Sequence, residues 1–560
     1  MHSGTSDQHR DIRASSEAED GSTFYGWISQ HSPFQYQDVD GLVDIANGVI
    51  ADASANADRA LEFGQAVAES LTGMTFSDIK LKRSTGVISI KAAREKIKVR
   101  GHEVEYSFEL LFLRVHYVFT NPHDMQSNMR FEFSKQAPSL FENGLMRKNT
   151  KSVLGALLKE NVAEEEYQRN PRELYVIDGG RLLKSVPWPD NGTYNEVYDG
   201  YISHINNNFR PHSHFILDGY LDPSSTKKCE QDRRIKGNIA RTIVFRGETK
   251  LSEFHKTEFL NNTTNKSNFL KLLATKLCSV GHEVTECPGD ADYDIAEAAI
   301  SLAASTNDPV ILDASDTDIL VMLIADDRTK DNLTMQSTNR MKISNVKQKI
   351  KQNVKDHILV VHAISGCDTV SAPFGKGKTA AFKAVNNDKD LSFLNVFKCP
   401  ISSHKEIAEA GEKLMLMIYN SPLTITSLDD LRYDNYKKQL LTKNLESQSG
   451  FDLRALPPTS DVCKYHSYRA YLQVQQWLGN KDISPADWGW VRCTPMGYLI
   501  PVIKDNAAAP ERVLKSISCG CKQGCNRNCK CRKAGLLCTP LCSACNGIDC
   551  SNGPNSVPDV

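Results

Sequence analysis

The middle of this chain is expected to fold as an α/β domain on a parallel sheet, and three observations lead there. Between residues 171 and 390, short apolar runs alternate with longer amphipathic ones, the pattern of strands separated by crossover helices. Several of the apolar runs end on an aspartate or lead directly into one. The chain is also 40% hydrophobic and 24% charged over 560 residues, which supplies real cores and implies three or four domains rather than one.

The elements follow in order. ELYVID (173–178) is a buried strand ending on Asp178, and TYNEVYDGYISHINNNF has helical spacing. SHFILDG (213–219) is a second strand ending on Asp218. NKSNFLKLLATKLCSVG is a helix, and HEVTECP is the strand after it. Gly289-Asp290-Ala291-Asp292 opens the helix DYDIAEAAISLAAS. PVILDAS is a strand, and Asp316-Thr317-Asp318 precedes ILVMLI, which is expected to be a further apolar strand. DHILVVHAISG then leads to Gly366-Cys367-Asp368, followed by Gly375-Lys376-Gly377-Lys378 and the helical TAAFKAV.

Carboxylates at the C-terminal ends of parallel strands converge, because those ends meet in the crevice above the sheet. Two Asp-x-Asp pairs and three single aspartates gathered there would repel one another strongly unless cations neutralised them. Hard oxygen ligands in that number suit Mg²⁺ or Mn²⁺. Two such ions roughly 4 Å apart are the usual machinery for in-line phosphodiester hydrolysis.

The order of these motifs resembles the flap-endonuclease and XPG-type nucleases, a branch of the PIN-like fold. The resemblance is carried by the first-strand Asp178, by Phe215-Ile216-Leu217-Asp218-Gly219 and by Pro288-Gly289-Asp290-Ala291-Asp292. It continues through Asp316-Thr317-Asp318, Gly366-Cys367-Asp368 and Gly375-Lys376-Gly377-Lys378. It covers about 220 of the 560 residues. It implies a PIN-like parallel sheet with flanking helices over residues 170–400, with about two Mg²⁺ or Mn²⁺ ions. Asp178, Asp218, Asp290, Asp292, Asp316, Asp318 and Asp368 would be the catalytic metal-binding set. Such nucleases place a strand-threading arch between the second and third motifs. Here that interval holds Lys227, Lys228, Arg233 and Arg234, with Lys236 and Arg241 beyond, a basic stretch suited to a phosphate backbone. Gly375, Lys376, Gly377 and Lys378 would hold a further phosphate at a helix start. A nucleotide-binding loop is rejected, because Ala372 stands where its first glycine is needed.

Near the C-terminus nine cysteines fall within thirty-two residues: Cys519, Cys521, Cys525, Cys529, Cys531, Cys538, Cys542, Cys545 and Cys550. So short a stretch cannot be held by apolar burial. The opening residues lack a basic and apolar leader, so reduced thiols are expected, and an odd number pairs badly; metal is favoured over disulfides. Three tetrahedral zinc ions sharing nine thiolates satisfy the count when three sulfurs bridge. The spacing resembles the tesmin-like CXC module, whose members bind zinc and in several cases DNA, with Asn528 where an aromatic residue is usual. The other seven cysteines read as ordinary buried thiols.

Residues 1–30 read as a disordered tail and 31–155 as an α+β domain of unknown type. Its strand candidates are VISI, KIKVR and VEYSFELLFLRVHYV, and its helix lies near ANADRALEFGQAVAESL. Residues 401–515 read as a helical segment, with Trp488 and Trp490 buried against it, and 516–553 as the zinc module. With 67 basic and 68 acidic residues, no global field draws the chain onto nucleic acid; local patches must do so. No apolar run reaches the ~18 residues a membrane span needs. The expected function is a divergent metal-dependent nuclease acting on nucleic acid, DNA above all, targeted by the zinc module. Nuclear localisation is expected, with the cytoplasm as the other option. The alternative is a non-catalytic DNA- or chromatin-binding protein on an inactive scaffold, with chromatin proteins among its partners; derivation from a mobile element is open.

Overall fold

The computed structural model describes residues 59–74, 95–99, 102–106, 126–134, 136–142, 145–160, 162, 170–219, 226–227, 240–251, 255–337, 339–387, 390–446, 453–492, 499–507, 509–510 and 529. The expectations for the N-terminal tail, for the strands VISI and most of VEYSFELLFLRVHYV, and for Lys228, Arg233 and Arg234 lie outside the described residues. So do those for every cysteine of the C-terminal run but Cys529, which is buried.

The chain divides into two compact units. One comprises residues 1–138, 429–459 and 506–560. It includes the expected helix, Ala60–Leu71, and an antiparallel hairpin of Glu95–Val99 with His102–Tyr106. Its most demanding feature is the buried Arg432, which faces the equally buried Glu132 at 3.4 Å. Arg432 also donates to the carbonyls of Met129 and Pro457, the added hydrogen bonds that a buried ion pair requires.

The other unit, residues 139–428 and 460–505, is built on a six-stranded sheet. Its strands are β1 (Leu174–Asp178), β2 (His214–Leu217), β3 (Glu283–Glu286), β4 (Val310–Asp313), β5 (Leu333–Gln336) and β6 (Arg340–Lys342). The spatial order is β6-β5-β4-β1-β2-β3. Every neighbouring pair is parallel except β5 with β6. The chain therefore winds from β1 outward to β3, then crosses back to β4 on the other side of β1. That reversal leaves a crevice at the carboxyl ends of β1 and β4, where open α/β sheets bind ligands.

Local sequence explains the elements. Tyr175, Val176 and Ile177 of β1 are all buried, as a central parallel strand covered on both faces must be. Helix α1 (Ser152–Lys159) precedes the sheet, and α2 (Gly179–Ser185) follows β1 with Asp178 as its N-cap. Helix α3 (Tyr194–Asn208) begins in a full capping box of Thr193 with Glu196, which satisfies two otherwise orphaned backbone donors. Helix α4 (Lys256–Asn261) leads into α5 (Thr263–Ser279), and α5 packs on α3 through aromatic rings. Tyr198 of α3 stacks on Phe269 of α5 at 4.8 Å, and Tyr194 of α3 on Phe245, in the segment before α4, at 4.3 Å. Each such ring contributes about 1.5–3 kcal/mol by burial alone.

The remaining helices of the unit are α6 (Asp292–Ser305), α7 (Thr317–Ala325), α8 (Ile343–Lys349), α9 (Gln352–Ile364), α10 (Lys378–Asn387), α11 (His404–Ile418) and α12 (Ser460–Trp477), of which α6 packs on β1, β4 and β5 and α8 on β5 and β6. One expectation is corrected here: ILVMLI is not a strand but the body of α7. Every residue from Thr317 to Ile324 is buried. A helix covered on all sides has no polar stripe, so its sequence shows neither period and reads as an apolar run. The helices α11 and α12 belong to this same unit, and Trp490 is buried while Trp488 packs on Tyr471 and His404. Among the described residues, no helix is long and apolar enough to cross a membrane.

Candidate metal centre

Of the seven expected aspartates, Asp178 and Asp218 lie at or just past strand ends, Asp292 and Asp318 in the first turns of α6 and α7, and Asp290, Asp316 and Asp368 in the segments beside them. The register explains why. Asp178 ends β1 level with Ile216, two residues before Asp218, and Ile177 lies level with Asp313 at the end of β4. Backbone donors then fix the carboxylates. Asp178 Oδ1 accepts from the Gly180 N–H at 2.8 Å, and Asp316 Oδ1 from the Asp318 N–H at 2.9 Å, each as the N-cap of the helix that follows. Asp218 Oδ1 accepts from the Ala291 N–H at 3.1 Å, which ties the end of β2 to the start of α6. Gly219 makes that approach possible: a Cβ there would collide with the backbone of Cys287 and Pro288. Gly366, with φ of +105°, lets the chain leave α9 and bring Asp368 back to the crevice, because its own Cβ would lie 2.7 Å from Ala372 Cα.

Ligand oxygens of Asp292, Asp316 and Asp318 lie within 4.8 Å of one another. Two ammonium groups enter this row. Lys227 Nζ lies 2.6 Å from Asp290 Oδ1 and 2.8 Å from Asp292 Oδ2. Lys151 Nζ lies 2.7 Å from Asp318 Oδ2, 2.9 Å from Asp368 Oδ2 and 3.7 Å from Asp316 Oδ1. Asp318 is nearly inaccessible, and its second oxygen meets His362 Nε2 at 2.7 Å. His362 is itself fully buried and stacks on Trp477 at 5.3 Å.

The charges respond to these surroundings. Burial pushes the Asp178 carboxyl up to about 7, and the charges of Asp218 and Asp292 add to the shift. Burial raises Asp290 to about 7 against the pull of Lys227. Burial and the charge of Asp318 raise Asp316 to about 6. Burial works the same way on Asp318 and Asp368, but Lys151 and Lys227, joined at Asp318 by the His362 hydrogen bond, together outweigh it and hold both below the usual carboxylate range. His362 is lowered to about 4, first by burial and then by Lys378, so it is neutral at pH 7. Protein cations thus sit on Asp290, Asp292, Asp318 and Asp368, while the carboxyls of Asp178 and Asp290, pushed up to about 7, have protons that a divalent cation would displace. All-oxygen donors of this kind fit a hard divalent ion.

Asp313, which also ends a strand, is not part of the row. It is buried against Arg181 Nε at 3.0 Å and Gln336 Nε2 at 3.3 Å. Among the expected phosphate contacts, Gly375 has φ of +64° and Lys376 extends over the Tyr419 ring. Gly377 sits against Asn149, two residues before Lys151. Lys378 departs from expectation, because its side chain is buried and donates to the His362 carbonyl rather than facing a ligand. Burial lowers its pKa to about 7.

Sequence reasoning missed Lys151 and His362. His362 left a trace, as the polar residue inside the apolar run ILVVHAI. Lys151 left none, since it lies 167 residues from Asp318 and 217 from Asp368.

A family model described as "Domain of unknown function (DUF8702)" matches residues 1–132. No curated protein matches the chain. Several solved structures are similar to it. The bacteriophage T5 D15 protein co-crystallised with metal ions is 16% identical, over 55% of this chain and 100% of its own, with a TM-score of 0.28. A singly substituted form of the T5 D15 flap endonuclease, in a pseudo-enzyme-product complex with DNA and metal ions, is 16% identical over 49% of this chain and 100% of its own, with a TM-score of 0.27. The catalytic core of Rad2 in complex with DNA substrate is 11% identical over 55% of this chain and 90% of its own, with a TM-score of 0.26. At TM-scores below 0.3, the functional reading rests on the side chains described above.

Proposed function

We propose that this chain is a divalent-metal-dependent nuclease that hydrolyses phosphodiester bonds of nucleic acid, DNA foremost, with Mg²⁺ or Mn²⁺ on the aspartate row. One observation carries the reading: ligand oxygens of Asp292, Asp316 and Asp318 lie within 4.8 Å of one another, beside Asp178 and Asp290, whose carboxyls are pushed up to about 7. Carboxylates gathered this closely are stable only around cations. Asp178, Asp218, Asp290, Asp292 and Asp316 would hold the metal, with Asp318 and Asp368 behind them. When bound, it supplies an activated water and support for the leaving oxygen.

The protein's own groups orient these ligands. Asp218 fixes the start of α6, and with it Asp290 and Asp292, through the Ala291 N–H. Asp316 fixes the start of α7, and with it Asp318. The basic stretch of Lys227, Lys228, Arg233 and Arg234 is where a phosphate backbone would lie, joined by Gly375, Lys376 and Gly377 at the start of α10. The nine cysteines from Cys519 to Cys550 would bind about three zinc ions and serve to target the chain, most simply to DNA in the nucleus. Metal analysis near three zinc per chain supports that role, and a zinc-free protein rejects it.

The deciding experiment offers the full chain a labelled 5′ flap, a single strand and a duplex, with Mg²⁺ or Mn²⁺. Cleavage that disappears with EDTA and in Asp316→Asn supports the nuclease. Failure on all three substrates, or undiminished cleavage by Asp316→Asn, rejects it.

A further inference from the structure

We propose that Lys151 is a resident cation of the metal centre: its ammonium takes the place of one divalent ion, so that the row binds one exchangeable ion rather than two. The inference rests on the metal-dependent reading above and concerns the number and place of its ions.

Position is the first argument. Lys151 stands at the N-cap of α1, whose Leu154, Gly155 and Leu158 are buried. Gly155 lies so close to α7 that a Cβ on it would be 3.3 Å from Thr317 Oγ1. The backbone of Lys151 is therefore fixed by packing against the helix that carries Asp318. Its ammonium is delivered to one place, within 2.9 Å of both Asp318 and Asp368 and 3.7 Å from Asp316. Three carboxylates around one half-buried cation is the arrangement an ion would otherwise have.

Saturation is the second argument. Asp318 spends Oδ2 on Lys151 and Oδ1 on His362. His362 is held in turn by its stack on Trp477 and by Lys378 at its carbonyl. Each of those oxygens keeps a second lone pair, but a divalent ion taking it would sit against the Lys151 ammonium or the His362 ring, each already 2.7 Å from Asp318. Asp292 and Asp316 are near enough to share an ion with Asp318, and an ion between those two can be held from the side away from Lys151, at the expense of the Lys227 contact to Asp292.

The second ammonium is placed differently. Lys227 bridges Asp292 and Asp290, whose side chain is 37% exposed, so an entering ion displaces Lys227 from the open side of the row and leaves Lys151 in place.

The test counts ions. Zinc-saturated full chain is titrated with Mn²⁺ alone by calorimetry, with free Mn²⁺ read by electron paramagnetic resonance, in wild type, Lys151→Met, Lys227→Met and Asp292→Asn. Wild type is expected to bind one Mn²⁺ that Asp292→Asn loses, and Lys151→Met is expected to bind two. Lys227→Met keeps a count of one and binds about tenfold more tightly, the scale of removing one like charge a few ångströms away. Two equivalents in wild type overturn the inference while leaving the nuclease reading intact, and that count needs no variant to fold. One equivalent in both wild type and a folded Lys151→Met also overturns it. No Mn²⁺ binding by wild type, together with no cleavage, overturns the nuclease reading itself.

Discussion

The two ends of the aspartate row share a chemistry and differ in how they are neutralised. At one end Asp318 and Asp368 are deep, paired with Lys151 and, for Asp318, with His362. At the other, Asp178 and Asp218 are held by backbone N–H groups and surrounded by further carboxylates. The first end is closed by protein groups on both oxygens of Asp318; the second has Lys227 on Asp290 and Asp292, and under the proposed reading it is where a metal ion enters. Carboxylate count alone therefore does not give metal count: what matters is how many carboxylates the protein has already answered.

The largest effect that separates the ends is on catalysis. Asp292→Asn, on the side away from Lys151, is expected to lower single-turnover cleavage by ~100-fold or more, beyond the 10–100-fold typical of groups that only support a metal ligand. A loss of less than threefold would remove Asp292 from the centre and dissolve the comparison.

The pH dependence of metal binding comes next. Asp178 and Asp290 are raised to about 7 and Asp316 to about 6. A metal requires these groups deprotonated, so binding releases protons in the window where the free protein still holds them. Mn²⁺ affinity should rise between pH 5.5 and 7, by about tenfold per pH unit for each proton released, and level off above pH 8. Calorimetry in buffers of different ionisation enthalpy reads the protons directly. A flat profile would mean that the unanswered end is already neutralised.

The smallest effect concerns the answered end. His362→Leu leaves one oxygen of Asp318 buried without its donor, which should cost about 2 kcal/mol in urea unfolding at pH 7. Saturating Mn²⁺ should not restore it, because the ion binds elsewhere in the row. Full recovery with Mn²⁺ would place an ion on Asp318 and count against Lys151 as its permanent partner.

How much of this was legible varies by element. β1, β2 and β4 could be read because apolar runs ending on aspartate are local features. Helices α3, α5 and α6 could be read from their spacing, and α3 also from Thr193 and Glu196 at its start. α7 could not, because burial all round removes the polar face that distinguishes a helix from a strand. Lys378 looked like a phosphate contact because it follows Gly377, and only packing shows it turned inward to His362.

By itself the sequence determined the row of acids: strand register and helix capping are short-range, so each aspartate's place at a strand end or helix start is written within a few residues of it. The partners of those acids were decided by tertiary structure. Lys151 reaches Asp318 across 167 residues and His362 reaches it across 44. Contacts at such separations exist only once α1 and α9 have packed against α7, and a charge set at long range leaves no local pattern to read.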